Sequence, residues 1–183
     1  MSITPDNSTA LAVDLDGTLI RGDLFISAVL ALLRKTPLLV VLMPFWLING
    51  RAALKRQVAL RVQMDPSELD YRQEVLRYIR QQQDLGRRTV LATGSDEKLV
   101  QPVAQYLGCF DEVIASDGES NFTGRGKSRA LVQRFGQGGY DYIGNANVDI
   151  PVWESASAVL MVKGSSGFNR RIEKMFEVSR VFH

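Results

Sequence analysis

The chain has 183 residues, 45% of them hydrophobic, and a formal net charge of +2. That length holds one α/β domain plus a modest insertion, while so small a charge, with no Lys/Arg cluster interleaved with aromatics, argues against nucleic acid as a partner. One cysteine, Cys109, rules out an intramolecular disulfide framework, and one histidine, His183, argues against Ser-His or Cys-His catalysis and against a Cys/His zinc set. Any metal must therefore be held by oxygen, which points to a hard cation such as Mg2+. The opening residues Met1-Ser2-Ile3-Thr4-Pro5-Asp6-Asn7 lack the basic and apolar regions of a signal peptide, so the cytoplasm is the expected location.

Taken in order, Ala10-Leu11-Ala12-Val13 reads as a strand buried on both faces, an apolar run without alternation that turn residues stop. Asp14 then falls at the strand's carboxyl end, where open parallel sheets place their ligand crevice. Asp16 follows on the loop, and Gly17 permits a sharp turn there. Two acids so close repel unless a cation or a shared proton relieves them, so the stretch reads as an active site rather than a solvated Asx turn.

Asp23 suits a helix N-cap. Beyond it residues 24–33 are nearly all apolar, Arg34-Lys35-Thr36 interrupts, and residues 37–48 carry no charge. Neither half reaches the roughly 18–20 residues of a membrane span, and Arg34, Lys35, Pro37 and Pro44 would break a longer one. The plain expectation is two short helices burying each other. An apolar lid or a monotopic membrane contact is the alternative, favoured by Phe45 and Trp46 beside charged flanks. Leu38, Leu42, Phe45 and Trp46 do not fit one narrow helical stripe, so part of the segment is expected to form an exposed apolar patch near the Asp14 crevice. Residues 51–64 read as a helix with a basic face (Arg51, Lys55, Arg56, Arg61) and an apolar one (Leu54, Val58, Val62). After Asp65-Pro66-Ser67 another helix turns Tyr71, Val75, Leu76 and Ile79 inward and ends near Gly86.

The pattern then changes. Thr89-Val90-Leu91-Ala92 is a short buried strand, ended by Thr93-Gly94-Ser95, and a helix runs from Asp96 and Glu97 to Gly108. Val113-Ile114-Ala115 is a third strand, followed by a turn-rich excursion through Asp117-Gly118 and Gly124 and by a helix opened by Lys127. Tyr140-Asp141-Tyr142-Ile143 is a fourth strand with the loop Gly144-Asn145-Ala146-Asn147-Val148-Asp149, and Val159-Leu160-Met161-Val162 a fifth. A helix over about residues 168–176 and a short strand end the chain. Such alternation calls for an α/β, doubly wound (Rossmann-like) parallel sheet with a helical insertion after the first strand. The expected division is a core of residues 1–21 and 84–183 and a cap of residues 22–83.

Strand ends of such a sheet converge on one crevice, which gathers Asp14, Asp16, Thr93, Lys127, Asn145 and Asp149. Each suits phosphoryl transfer. A carboxylate can attack phosphorus, and a second can protonate the leaving oxygen and then deprotonate water. A hydroxyl and the N–H groups of a helix start bind phosphate oxygens, lysine offsets charge, and oxygen ligands hold magnesium. Gly124-Arg125-Gly126-Lys127-Ser128 is not a nucleotide P-loop: the required first glycine would fall at Asn121, and no buried strand leads directly in.

The ordered set Asp14-Leu15-Asp16-Gly17-Thr18, Thr93, Lys127 and Gly144-Asn145-x-x-x-Asp149 resembles the four motifs of the haloacid dehalogenase-like superfamily over essentially the whole chain. The resemblance implies Asp14 as nucleophile, Asp16 as general acid/base, and Thr18, Thr93, Gly94, Ser95 and Lys127 around the phosphate. It also implies Mg2+ held by Asp14, Asp16, Asn145 and Asp149. The insertion looks like the cap of phosphoserine phosphatase-like members, in which an acid placed like Asp23 faces the substrate. Asn145 departs from the pattern, since most members have an acidic magnesium ligand there, and the amide removes one negative charge from the site.

The apolar cap, Val90-Leu91-Ala92-Thr93-Gly94-Ser95-Asp96-Glu97, Phe110-Asp111-Glu112-Val113 and Tyr142-Ile143-Gly144-Asn145 look like one subgroup. Its members are the soluble N-terminal half of bacterial proteins that end in a membrane prenyltransferase of the 4-hydroxybenzoate polyprenyltransferase type. Together these imply a magnesium-dependent phosphomonoesterase acting on a phosphorylated small molecule, with a polyprenyl-linked or sugar phosphate as substrate. They also allow a membrane surface or a membrane prenyltransferase as partner. The competing reading is a catalytically weak regulatory or scaffolding domain that binds a phosphorylated ligand or that membrane partner.

Overall fold

The computed structural model describes residues 9–117, 119–120 and 122–183. The leader reading of residues 1–7, Gly118 of the excursion and Asn121 of the rejected P-loop lie outside them. Six strands form one sheet in the order β3-β2-β1-β4-β5-β6: β1 Ala10–Val13, β2 Thr89–Asp96, β3 Glu112–Ser116, β4 Tyr140–Gly144, β5 Val159–Val162 and β6 Val178–Phe182. Every neighbouring pair is parallel. The order steps outward in both directions from β1 and β4, so a crevice opens above their carboxyl ends.

The two faces of β1 explain its unbroken apolar run. Leu11 and Val13 belong to one buried cluster with Leu91, Ile143 and Leu160, whereas Ala10 and Ala12 belong to a second with Val90, Tyr142 and Met161. Successive strand residues point to opposite faces, and here both are covered. The first cluster is closed by α1 (Leu24–Lys35), α3 (Arg51–Ala59), α4 (Gln73–Asp84) and α5 (Glu97–Leu107). The second is closed by α6 (Arg125–Phe135), the single turn α7 (Ile150–Trp153) and α8 (Ser166–Met175).

Several elements differ from their sequence expectation. β2 continues past Ala92 to Asp96, because Asp96 still pairs with Ser116 after a register shift. α3 stops at Ala59, and Val62 and Met64 pack from the following coil. Residues 37–48 form a 3-10 stretch, Pro37–Leu42, and a six-residue helix α2, Met43–Ile48. α2 has no fully buried residue; Leu39 and Trp46 pack partly against the first cluster, and the other apolar side chains of the segment that the structure describes are mostly exposed rather than buried between two short helices.

Candidate active site

The turn after β1 sets the crevice floor. Gly17 adopts φ +75, and its N–H donates to the Gly22 carbonyl at 3.0 Å. A Cβ at Gly17 would run into the Asn145 side chain, so glycine here serves both the left-handed backbone and the close approach of the fourth loop. Arg72 ties the turn to the helical insertion, donating to the Thr18 carbonyl at 3.2 Å and the Gly17 carbonyl at 3.3 Å.

Asp14 is buried and held from two sides. Lys127 Nζ donates to Oδ1 at 2.6 Å and Thr18 Oγ1 lies 3.1 Å from Oδ2. Burial, reinforced by Asp149 and Asp16, outweighs the attraction of Lys127 and raises the Asp14 pKa to about 7. Lys127 itself is fully enclosed. Burial works against its charge, yet Asp14 and Asp149 prevail and its pKa is raised, so it is an ammonium at neutral pH.

Behind Lys127 lies a cluster with one member unforeseen in sequence. Lys127 donates to Tyr142 Oη at 2.7 Å, and that hydroxyl donates to Asp149 Oδ1 at 2.8 Å. Burial, with Asp149 and Asp14, raises the Tyr142 pKa well above its ordinary value, so the hydroxyl keeps its proton. Asp149 Oδ2 accepts from the Asn145 and Ala146 amides, both at 3.1 Å, which folds the fourth loop over its own carboxylate. The available signal is a tyrosine inside the β4 run Tyr140-Asp141-Tyr142-Ile143, whose hydroxyl needs a partner when buried.

Asp16 is held differently. Its Oδ1 accepts from the Leu24 N–H at 2.7 Å, and its Oδ2 from Ser95 Oγ at 2.7 Å and Thr93 Oγ1 at 3.3 Å. Burial raises its pKa, against the lowering effect of the Leu24 and Ser95 donors. The hydroxyls of Thr93 and Ser95, expected around a phosphate, thus meet Asp16, and the Ser95 N–H donates to Thr93 Oγ1 at 3.0 Å. Gly94 is needed by close packing: a Cβ there would strike the Thr123 side chain. Its carbonyl accepts from Lys55 Nζ at 2.7 Å and Ser116 Oγ at 3.1 Å. Lys55, on α3, was read only as part of a basic helix face. Asp23 caps α1 through the Ile26 N–H at 2.9 Å and is exposed at the rim.

The donors for a cation divide in the same way. Thr18 Oγ1 lies 3.1 Å from both Asp14 Oδ2 and Asn145 Oδ1. One hydroxyl proton serves only one of these acceptors, so a carboxylate oxygen and an amide oxygen converge with lone pairs to spare. That pair fits a hard cation such as Mg2+. The Asp16 and Asp149 oxygens are each already engaged by the donors named above, and among the described residues no three Asp, Glu, His or Cys side chains form a metal cluster.

A family model described as haloacid dehalogenase-like hydrolase matches residues 11–154. An uncharacterised protein of Sinorhizobium fredii, y4nM, is 33% identical over 170 residues, which cover 92% of this chain and 33% of that one. The chain therefore spans about a third of the length of that curated relative. A Bordetella pertussis Tohama I protein of unknown function superposes with a TM-score of 0.71 at 15% identity, covering 96% of this chain and 99% of that one. A substrate-bound phosphoserine phosphatase superposes with a TM-score of 0.63 at 12% identity, covering 97% and 94%. These two likenesses concern the fold.

Proposed function

The chain belongs to the haloacid dehalogenase-like hydrolase family, and from that premise we propose that it is a phosphomonoesterase in which Asp14 is the nucleophile and Asp16 the general acid/base. The observation that carries this reading is the unlike setting of two neighbouring carboxylates. Asp14 is paired with a buried ammonium 2.6 Å away, whereas Asp16 meets only neutral hydroxyl and amide donors. Environments that separate two acids in this way assign them separate roles.

The Asp14 carboxylate attacks phosphorus, and an O–P bond forms to give an acyl phosphate as the bond to the substrate's ester oxygen breaks. Asp16, held by hydroxyl and backbone N–H donors with no ion-pair partner among the described residues, gives a proton to that leaving oxygen. It then takes a proton from water, whose oxygen attacks phosphorus and returns Asp14 as a carboxylate with release of inorganic phosphate. Lys127 offsets the charge that would keep Asp14 from a phosphate dianion, and Tyr142 and Asp149 hold Lys127 in place. Asp14 and Asn145 would hold Mg2+, which when bound supplies charge neutralisation at the phosphate. For the substrate we propose a phosphate ester of a polyprenyl carrier or a sugar, and the apolar side chains exposed on the insertion support the lipid-linked form.

Asn145 favours a second reading, a weakly catalytic domain that binds a phosphorylated ligand, because an amide contributes no charge to a cation site. One experiment separates the two. Asp14→Asn should abolish Mg2+-dependent hydrolysis of an aryl phosphate without changing the circular dichroism spectrum, and beryllium fluoride should form an adduct on wild type but not on the variant. Full activity in the variant would refute the nucleophile, and an adduct without turnover in wild type would favour the binding domain.

A further inference from the structure

α1 is apolar on two opposite faces. Leu24, Ala28 and Leu32 are buried under the insertion, while Ile26, Leu30 and Leu33, about half a turn around the helix, are 57%, 49% and 40% exposed. The next segment, packed against α1, continues the exposure: Leu38 is 83%, Val41 68%, Phe45 63% and Ile48 80% open to solvent. Apolar residues scattered singly on a surface are ordinary. This concentration within residues 26–48 is not, and a helix apolar all round has both faces covered in its working state.

Charge identifies the cover. Residues 24–64 contain Arg34, Lys35, Arg51, Lys55, Arg56 and Arg61 and not one carboxylate, in a chain that totals 22 basic and 20 acidic residues; Arg56 is paired with Asp96 and Glu97, and Asp65 and Glu68 line the groove beside Leu30, Arg34 and Lys35. Arg34, Lys35 and Arg51 are exposed, with no ion-pair partner among the described residues. Arg61 stacks on Trp46, its guanidinium carbon 4.8 Å from the ring centroid. A second copy of the chain seated symmetrically would set Arg34, Lys35 and Arg51 against the same three cations, and like charges across an interface repel. An anionic bilayer supplies what the face asks for: an acyl boundary for Leu38, Phe45 and Ile48, and headgroup charge for the flanking cations. Among the described residues no helix is long and apolar enough to cross a membrane, which leaves adsorption in the interface plane.

We propose that the face formed by α1, residues 37–42 and α2 docks the chain on the surface of a bilayer containing anionic lipid. The proposal does not depend on the phosphatase reading, and its readout involves no turnover. The test is flotation of the 183-residue chain with vesicles of phosphatidylcholine alone or mixed with phosphatidylglycerol. Binding should appear with the mixed vesicles and weaken with added salt. It should fall about fivefold for each cation removed in Arg34→Gln and Lys35→Gln, and at least about tenfold in Phe45→Asp, one exposed apolar contact with the acyl boundary being lost. Quenching by brominated acyl chains provides a measurement in the unaltered chain. Trp46, on α2 beside this face, is half-buried against the first cluster and should be quenched more than Trp153, which is fully buried in the second. Three results would overturn the proposal: no binding to mixed vesicles, binding indifferent to Phe45→Asp with no quenching, or a concentration-dependent dimer that Phe45→Asp dissociates. The last would make the face an interface between copies, and capture of a protein partner without vesicle binding would likewise count against the bilayer.

Discussion

Tyr142→Phe isolates the one buried hydroxyl of the ion cluster. The ring keeps its edge-to-face contact with Trp153, 6.3 Å between centroids, so only two hydrogen bonds change. The hydroxyl donates to Asp149 Oδ1 at 2.8 Å and accepts from Lys127 Nζ at 2.7 Å. Hydrogen bonds to charged groups contribute about 1.5–3 kcal/mol each, so losing both without relaxation would cost about 3–6 kcal/mol. Relaxation is available, because Lys127 Nζ is already 3.6 Å from Asp149 Oδ1 and the gap left by the oxygen lets it move closer. A new ammonium–carboxylate bond returns about half, leaving a net loss of about 1.5–3 kcal/mol. For a chain of this size that is about 3–12 °C in Tm. Urea unfolding followed by circular dichroism measures the free energy, and a scan gives Tm. A loss below about 0.5 kcal/mol, within the range of an ordinary surface substitution, would show that Lys127 and Asp149 do not need the hydroxyl between them. Pulling Lys127 toward Asp149 also lengthens its bond to Asp14, so kcat should fall more than KM rises.

Three further outcomes are expected. Asp16→Asn should lower kcat about 10²–10⁴-fold, the usual scale for losing an acid/base, with stability changed much less, and a fall under tenfold in steady-state turnover would remove Asp16 from that role. Asn145→Asp adds the missing charge beside Asp14 and should tighten Mg2+ binding in a calorimetric titration; unchanged or weaker binding would mean that Asn145 is not a ligand. Arg87→Met should cost about 3–5 kcal/mol in urea unfolding, because Arg87 is 2% exposed and its loss leaves Asp141 without its buried partner.

What could be read in advance followed from where a strand ends. Asp14, Asn145 and Asp149 lie just past β1 and β4, adjacent parallel strands in which Val13 is in register with Ile143; an apolar run followed by a polar loop is enough to place them together. Lys127 was placed by its helix start. Tyr142 was not found, because its importance depends on which face of β4 meets α6, and a strand buried on both sides has no alternation to reveal that. The uncharged stretch of residues 37–48 leaves two expectations open in sequence, mutual helix burial and an exposed apolar patch, for a related reason. Hydrophobicity says that a residue prefers to leave water but not what covers it, and here α1 spends its inner face on the core while α2 only half-buries Trp46 against it. Lys55 was invisible as a site neighbour because the fold of the insertion, not any local pattern, brings α3 to the Gly94 carbonyl.

α3 is also where the crevice and the apolar face meet. It buries only Val58 and Ala59 completely, so polar contacts do much of the work of setting its position. Lys55 reaches the Gly94 carbonyl at 2.7 Å, and Arg56 reaches Asp96 and Glu97, each at 3.1 Å. Just beyond its end, Arg61 lies over Trp46 of α2. Charged contacts of this kind contribute from about 1 kcal/mol when exposed to about 1.5–3 kcal/mol when buried, and fully burying one Leu, Ile or Phe side chain contributes about 1.5–3 kcal/mol. Withdrawing Leu38, Phe45 and Ile48 from water would therefore be comparable to what holds α3 against the end of β2. That load falls on the carboxyl end of β2, whereas Asp14, Lys127 and Asp149 stand past β1, on α6 and past β4. A surface acting on α2 would thus be felt at the crevice through Lys55 and Arg56, in the positions of Gly94 and Asp96, and would leave the nucleophile where it is.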